Sequence, residues 1–104
     1  MGSVQFRLSP QNKMKILLDI DDTLINSEDK VHPRAYLLFE RYKVVLFSAS
    51  EDIKKWADIF NVEYISKHDE LIPEADVLID DDSYFIKMVK VNKYFKSIDD
   101  FLDI

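Results

Sequence analysis

Short, continuous runs of apolar residues recur along the chain and are separated by longer segments of mixed polarity. The clearest runs cover 16–18, 44–47 and 77–79, and a weaker one, interrupted by Glu63, covers 62–65. Runs of this length without polar alternation are typical of parallel strands that are covered on both faces. We therefore predict strands at these four positions and a last strand over 94–98.

Between the apolar runs, hydrophobic residues recur at the spacing of an α-helix. One helix is predicted after Pro33, which suits a first helical turn, and another after Ser50, a candidate N-cap. Residues 83–89 are predicted to form a short helix, and 99–104 a terminal turn or helix. The residues that define the two main helical faces are Ala35, Leu38, Phe39 and Tyr42, then Ile53, Trp56, Ala57 and Phe60.

Strands that alternate with helices indicate an α/β protein with a three-layer, Rossmann-like architecture, in which a parallel sheet carries helices on both faces. Right-handed crossovers then bring the carboxyl ends of all strands to one edge of the sheet. We predict a single domain over 14–104. Residues 1–13 show no clear period and precede a second methionine, so we expect an expression-derived leader or a flexible arm.

The composition of the chain argues against several classes of protein. A hydrophobic content of 47% excludes a disordered chain, and a net charge of -6 opposes strong non-specific binding to nucleic acid. The chain has no Cys for a thiol nucleophile and a single Gly, which excludes a glycine-rich phosphate loop. No apolar stretch reaches the roughly 20 residues of a membrane span. We expect a cytoplasmic protein without membrane contact, monomeric or dimeric.

Three of the predicted strands end in a compact side chain that carries oxygen. These side chains are Asp19, Ser48 and Asp80. Ligands of open parallel sheets bind outside the carboxyl ends of the strands, so we expect the three groups to converge on one crevice. Four further carboxylates follow the first and third of these strands, namely Asp21, Asp22, Asp81 and Asp82.

Carboxylates at this density repel one another, and a hard cation is the usual compensation. Magnesium takes oxygen ligands, uses only one or two protein carboxylates and keeps positions for water and substrate phosphate. A metal-bound phosphoryl group is open to attack by a carboxylate, while a second carboxyl group protonates the leaving oxygen. The pattern therefore predicts a Mg²⁺ cofactor and phosphoryl-transfer chemistry.

The segment DIDDT at 19–23, followed by Leu24, resembles the first motif, DxDx(T/V), of the haloacid dehalogenase superfamily. SAS at 48–50 resembles its second motif, and DDD at 80–82 resembles its fourth. The third motif is a single lysine, for which Lys67 is the candidate because it follows the predicted strand at 62–65. The likeness covers most of the chain, from about residue 15 to residue 83.

This resemblance implies a role for each matching residue. Asp19 would attack phosphorus and form an aspartyl-phosphate, and Asp21 would act as general acid and then as general base. Thr23 would orient Asp21, and Ser48 would donate a hydrogen bond to a phosphoryl oxygen. Lys67 would balance the charge of Asp19 and of its phosphorylated form.

The resemblance also implies the metal ligands and the substrate class. Asp19, the backbone carbonyl of Asp21, Asp81 and its neighbour Asp80 would hold Mg²⁺. The wording of the motifs is nearest to capless RNA polymerase C-terminal-domain phosphatases and to deoxyribonucleotidases, and no cap domain fits between the motifs. The expected substrate is a phosphate monoester, on a small molecule or on the end of a macromolecule. A partner chain is one source of the lid that the open crevice lacks.

Two other classes remain open from the sequence. A receiver domain of a response regulator also gathers acids, a hydroxyl and a lysine around magnesium, but its phosphoacceptor lies on a middle strand and its lysine follows the last strand. A catalytically silent protein with the same fold would serve as a binding module. The DxDxT motif on the first strand and the lack of a clear lysine partner after the last strand favour the phosphatase over the receiver domain. The complete set of carboxylates counts against the silent binding module.

Overall fold

The computed structural model describes residues 13–69 and 71–104, so the predicted leader at 1–13 lies outside the described residues except for Lys13. Five parallel strands form one sheet in the order β3-β2-β1-β4-β5. The chain moves outward from β1 through β2 to β3, then returns to the other side of β1. The strands are β1 (Lys15–Leu18), β2 (Lys43–Ser48), β3 (Glu63–Ser66), β4 (Val77–Ile79) and β5 (Lys93–Phe95).

Within residues 13–69 and 71–104, four helical segments connect or follow these strands. They are α1 (Ala35–Arg41), α2 (Ile53–Phe60), a 3-10 helix (Ser83–Met88) and α3 (Ile98–Leu102). The predicted elements are therefore present and in the predicted order. The α/β class with a parallel sheet is confirmed.

Most predicted boundaries agree with the structure to within one or two residues, but the end of the last strand and the N-cap of α2 were predicted wrongly. The last strand ends at Phe95 and not at residue 98, because the Ser97 hydroxyl accepts a hydrogen bond from the amide of Asp100 and starts α3. Ser50 is not the N-cap of α2, which is Asp52. The Ser50 hydroxyl instead accepts a bond from the amide of Asp52 at 3.1 Å, within the turn that leads into the helix.

One face of the sheet packs against all three α-helices. Side chains at alternate positions of the central strands, such as Leu18 and Leu46, form its floor. Each helix contributes a buried apolar side chain above it, namely Leu38, Trp56 and Phe101. This is the larger of the two cores, and its hydrophobic contacts fix the helices to the sheet.

The opposite face of the sheet has a thinner cover. Leu17, Phe47 and Leu78 on this face pack against Phe85 and Val89 at the 3-10 helix, together with connecting segments. The prediction of helices on both faces is therefore met only in part, since α-helices cover one face and the other has, in the described part of the chain, only the short 3-10 helix. The cause is the connection from β3 to β4, whose described residues form no helix.

Among residues 13–69 and 71–104, no helix has the length and apolar character needed to cross a membrane. The longest, α2, contains eight residues.

Candidate active site

Backbone hydrogen bonds continue the sheet by one residue past the strand ends. The amide of Asp19 donates to the carbonyl of Ile79 at 2.9 Å, and the amide of Asp80 donates to the carbonyl of Phe95 at 3.0 Å. Asp19 and Asp80 are thus side by side at the carboxyl ends of β1 and β4. These two strands are neighbours at the point where the direction of strand order reverses, which is where open α/β sheets bind ligands.

Lys67 reaches the same point from the end of β3. Its amide donates to the carbonyl of Ser48 at 2.9 Å, which extends the pairing of β3 with β2. Its ammonium Nζ lies 3.0 Å from Asp19 Oδ1 and 2.7 Å from Asp80 Oδ2. All three side chains are buried, with Lys67 8%, Asp19 5% and Asp80 0% exposed. A buried cation between two buried carboxylates is the electrostatic centre of the site.

Thr23 links the first acidic motif to the last. Its hydroxyl donates to Asp19 Oδ2 at 3.2 Å and accepts from the amide of Asp81 at 3.3 Å. The Asp81 carboxylate oxygen Oδ1 lies 3.4 Å from the same hydroxyl. The resemblance implies that Thr23 orients Asp21, but the hydroxyl contacts found among the described residues are with Asp19 and Asp81. It therefore fixes the carboxylate of Asp19 and the backbone of Asp81 relative to each other.

Ser48 ends β2 and is buried next to the site. Its hydroxyl oxygen accepts a hydrogen bond from the amide of Ser50 at 3.0 Å. The bond fixes the position of the Ser48 oxygen, and the hydroxyl proton of Ser48 can still be donated to a ligand in the crevice. The geometry fits a donor to an anionic group in the crevice.

The side chains border one open cleft of about 230 Å³, which we call the carboxylate cleft. Asp21 and Asp22 lie at its exposed rim, and Asp22 has a left-handed backbone with φ of 61°. This conformation turns the chain sharply after β1. The described residues that line the carboxylate cleft are Asp19, Asp21, Asp22, Ser48, Ala49, Lys67, Asp80, Asp81, Asp82 and Phe85.

Burial shapes the electrostatics of the site. Burial, followed by the charge of Asp80, raises the pKa of Asp19 to about 7, although Lys67 acts in the opposite direction. Burial also raises the pKa of Asp80, again against the effect of Lys67. Burial opposes the charged form of Lys67, but its contacts with Asp80 and Asp19 outweigh this and raise its pKa. Lys67 is thus a permanent cation, and it does not fully compensate the carboxylates around it.

Carboxylate oxygens of Asp19, Asp80 and Asp81 lie within 4.8 Å of one another, so the three residues could hold a metal ion. One ammonium faces three carboxylates, and the charge of Asp80 adds to the larger effect of burial in raising the pKa of Asp19. Asp80 is the most deeply buried of the three, and the Asp82 amide bonds its Oδ1 at 2.9 Å while Lys67 pairs with its Oδ2. Asp81 is the exposed member of the three, so a divalent cation that enters from the carboxylate cleft could be held by Asp81 and Asp19.

Every residue predicted for the site is found at this edge of the sheet. Asp19, Asp21, Ser48, Lys67, Asp80 and Asp81 border the carboxylate cleft, and Thr23 is bonded to two of them. Sequence reasoning missed Phe85, whose ring also lines the cleft. Its apolar neighbours in the 3-10 helix gave no signal that distinguished it from a core residue.

These features define an α/β protein with a buried aspartate–lysine–aspartate cluster at the carboxyl edge of a five-stranded parallel sheet. Comparison with known proteins gives no more particular identity, since no protein-family model, curated protein or solved structure matches the chain.

Proposed function

We propose that this protein is a Mg²⁺-dependent phosphatase or phosphotransferase of the haloacid dehalogenase type that acts on phosphate monoesters. The observation that carries the proposal is the convergence of Asp19, Lys67 and Asp80 within 3.0 Å contacts at the end of three strands. Asp19 lines the open cleft and is paired with a cation, an arrangement that suits a carboxylate nucleophile.

The order of the strands supports this proposal over a receiver domain. The order β3-β2-β1-β4-β5 matches the strand order of a Rossmann-type sheet, whereas the flavodoxin-like receiver order is 2-1-3-4-5. A receiver also requires its lysine after the last strand, and here Lys67 follows β3. Both differences favour a Rossmann-like fold with the nucleophile at the end of its first strand.

In the first chemical step, a carboxylate oxygen of Asp19 attacks phosphorus as the bond from phosphorus to the ester oxygen breaks. The electron pair goes to the leaving oxygen, and Asp21 at the rim of the carboxylate cleft supplies the proton. Lys67 offsets the negative charge on Asp19 and on the aspartyl-phosphate, and Ser48 donates its hydroxyl proton to a phosphoryl oxygen. Positioning and charge stabilisation supply most of the rate enhancement in such transfers.

In the second step, a water molecule attacks the phosphorus of the aspartyl-phosphate, and Asp21 accepts a proton from that water. The bond between phosphorus and the Asp19 oxygen breaks, which releases inorganic phosphate and restores the carboxylate. Another hydroxyl compound in place of water would make the protein a phosphotransferase. The same two carboxylates therefore serve both outcomes, with Asp21 first as acid and then as base.

Asp19, Asp81 and the backbone carbonyl of Asp21 would hold Mg²⁺, with Asp80 in a supporting position beside Lys67. When bound, the ion would supply positive charge to the phosphoryl oxygens and lower the pKa of Asp19. Thr23 supports this arrangement, because its hydroxyl holds Asp19 and the Asp81 amide together.

The carboxylate cleft is open, which bears on the choice of substrate. Between β1 and α1 the chain forms a bridged turn, in which Ile25 pairs with Val31, and then enters the helix. A cleft bordered by so short a connection accepts a phosphate that projects from a larger molecule as readily as a small ester. Phosphate monoesters of both kinds are the proposed substrates.

The test is hydrolysis of a generic aryl phosphate with and without Mg²⁺. Wild-type protein is expected to be active with Mg²⁺ and inactive with EDTA, and Asp19→Asn is expected to lose at least about 1,000-fold in kcat, as a missing nucleophile would imply. Trapping of a phosphorylated Asp19 by rapid quench and mass spectrometry would identify the intermediate.

Asp29→Asn is the matched control. Asp29 is exposed in the turn after β1 and has a left-handed backbone, which asparagine also adopts. This variant should retain wild-type activity. Equal activity of wild type and Asp19→Asn, or activity that survives EDTA, would overturn the proposal.

A further inference from the structure

The ammonium of Lys67 contacts aromatic rings as well as carboxylates. Its Nζ lies 3.9 Å from the ring centroid of Phe85 and 5.4 Å from that of Phe47. Both distances are within the range of about 6 Å over which an ammonium is attracted to the face of an aromatic ring. Phe85 is the closer ring, and it also borders the carboxylate cleft.

The acidic motif after β4 places this ring. The amide of Asp82 donates to Asp80 Oδ1 at 2.9 Å, which shapes the turn after the strand. The Asp82 carboxylate then accepts from the amide of Tyr84 at 2.9 Å and caps the 3-10 helix that carries Phe85. Asp80 therefore contacts Lys67 directly and also organises the turn that brings the second contact.

The ring of Phe85 is held in turn by its neighbours. It meets Phe47 edge to face, with centroids 6.2 Å apart and an interplanar angle of 88°. It belongs to the core on the thinly covered face of the sheet. Because the ring of Phe85 is packed against Phe47, its face is held in a fixed position next to the ammonium of Lys67.

We propose that Phe85 is a positioning residue for Lys67, and that its ring holds the ammonium between Asp19 and Asp80. The side chain of lysine is long and flexible, and without the ring of Phe85 its ammonium would gain access to water at the open cleft. The ring excludes water from that side and attracts the cation through its face. The consequence for catalysis rests on the proposed function, but the contact itself does not.

The contact is tested first by NMR, without any activity. A methylene group beside a ring face is shifted upfield by the ring current, so the Lys67 Hε signals of wild-type protein should lie upfield of those of the exposed lysines. Phe85→Leu should remove most of this shift, and Phe85→Tyr should retain it. Lys67→Met identifies the signals by their loss, and Phe39→Leu, a ring removed from the other core, should leave them unchanged.

The role is tested next by kinetics on the aryl phosphate. Phe85→Leu should lower kcat about 5- to 30-fold, the range that corresponds to loss of a partly desolvated cation–π contact, with KM changed less than about twofold. Phe85→Tyr should restore kcat to within about threefold of wild type. A ring that merely filled space would allow leucine to serve nearly as well as tyrosine.

The outcomes separate this inference from the proposed function. Wild-type activity with an unaffected kcat in Phe85→Leu would overturn the positioning role and leave the phosphatase intact. An inactive wild type with the predicted ring-current shifts would overturn the phosphatase and leave the contact in place. Lys67 Hε signals without an upfield shift in wild-type protein would overturn the inference even if Phe85→Leu failed to fold.

Discussion

Asp19 is buried, adjacent to Asp80 and paired with a single lysine, and its protonation should therefore govern how stability depends on pH. Its pKa in the folded protein is about 7, well above the value of about 3.9 in an unfolded chain. Between these two values the folded state binds more protons than the unfolded state. The contribution of Asp19 to stability is thus fully present below the unfolded pKa and is lost as pH rises through the folded pKa.

We predict that, in EDTA, the free energy of unfolding of wild-type protein falls by on the order of 3 kcal/mol between about pH 4.5 and pH 8 because of Asp19. Urea titrations across this range would measure it. Asp19→Asn removes the titrating group, so its unfolding free energy should vary less with pH and exceed that of wild type at pH 8. Parallel pH profiles for wild type and Asp19→Asn would contradict the prediction, and Asp29→Asn provides the control for loss of an exposed carboxylate.

Residue-level geometry explains which site residues the sequence could predict. Asp19, Ser48 and Asp80 each follow an apolar run, so their place at the sheet edge follows from strand order and handedness alone. Lys67 follows a weaker strand, and its contact with Asp19 depends on the β3–β2 register as well. Phe85 could not be predicted, since its position depends on a turn that hydrogen bonds of Asp80 and Asp82 define.

At the scale of single elements, the start of α3 shows how one hydroxyl sets a boundary. Ser97 has an extended backbone, and its hydroxyl accepts a hydrogen bond from the amide of Asp100 at 3.0 Å. Ile98 and Phe101, on the helix that follows, are buried in the larger core. The sequence pattern alone extended β5 to Ile98, because an apolar residue after a strand is consistent with either element.

We predict that Ser97→Ala lowers the free energy of unfolding by about 1 kcal/mol, since it removes the acceptor for an otherwise unpaired helix amide. Equilibrium urea unfolding would measure the loss. Ser97→Asp keeps a capping oxygen and should stay within about 0.5 kcal/mol of wild type. Equal losses in the two variants would show that the cap does not stabilise α3.

The helices on the two faces of the sheet also differ in how well the sequence predicts them. The faces of α1 and α2 repeat at helical spacing, and both helices are found where the pattern places them. The cover of the second face comes from a 3-10 helix and connecting segments, which have no comparable periodicity. The expectation of helices on both faces failed in part for this reason.

For the molecule as a whole, the charge imbalance at the site predicts a link between metal binding and stability. A cation that binds only the folded state stabilises it by mass action, by about 2.7 kcal/mol at 100 times Kd. We predict that saturating Mg²⁺ raises the Tm of wild-type protein and that Asp81→Asn abolishes most of the increase. Thermal melts with Mg²⁺ and with EDTA would measure it.

Asp58→Asn is a suitable control, because Asp58 lies on α2 and its carboxylate pairs with Lys54 at the surface. This variant should show the full increase in Tm with Mg²⁺. An increase of the same size in Asp81→Asn would show that the ion acts elsewhere on the protein.

The 3-10 helix is shared by the second core and by the carboxylate cleft, since it carries Phe85 against both Phe47 and Lys67. Detachment of this one segment would expose Leu17 and Leu78 and would admit water to the lysine at the same moment. If the cleft is the active site proposed above, local opening of the segment would interrupt activity as well as loosen the packing. Amide hydrogen exchange along residues 83–89 would measure how often the 3-10 helix detaches, and so separates Phe85 from Lys67, while the sheet stays folded.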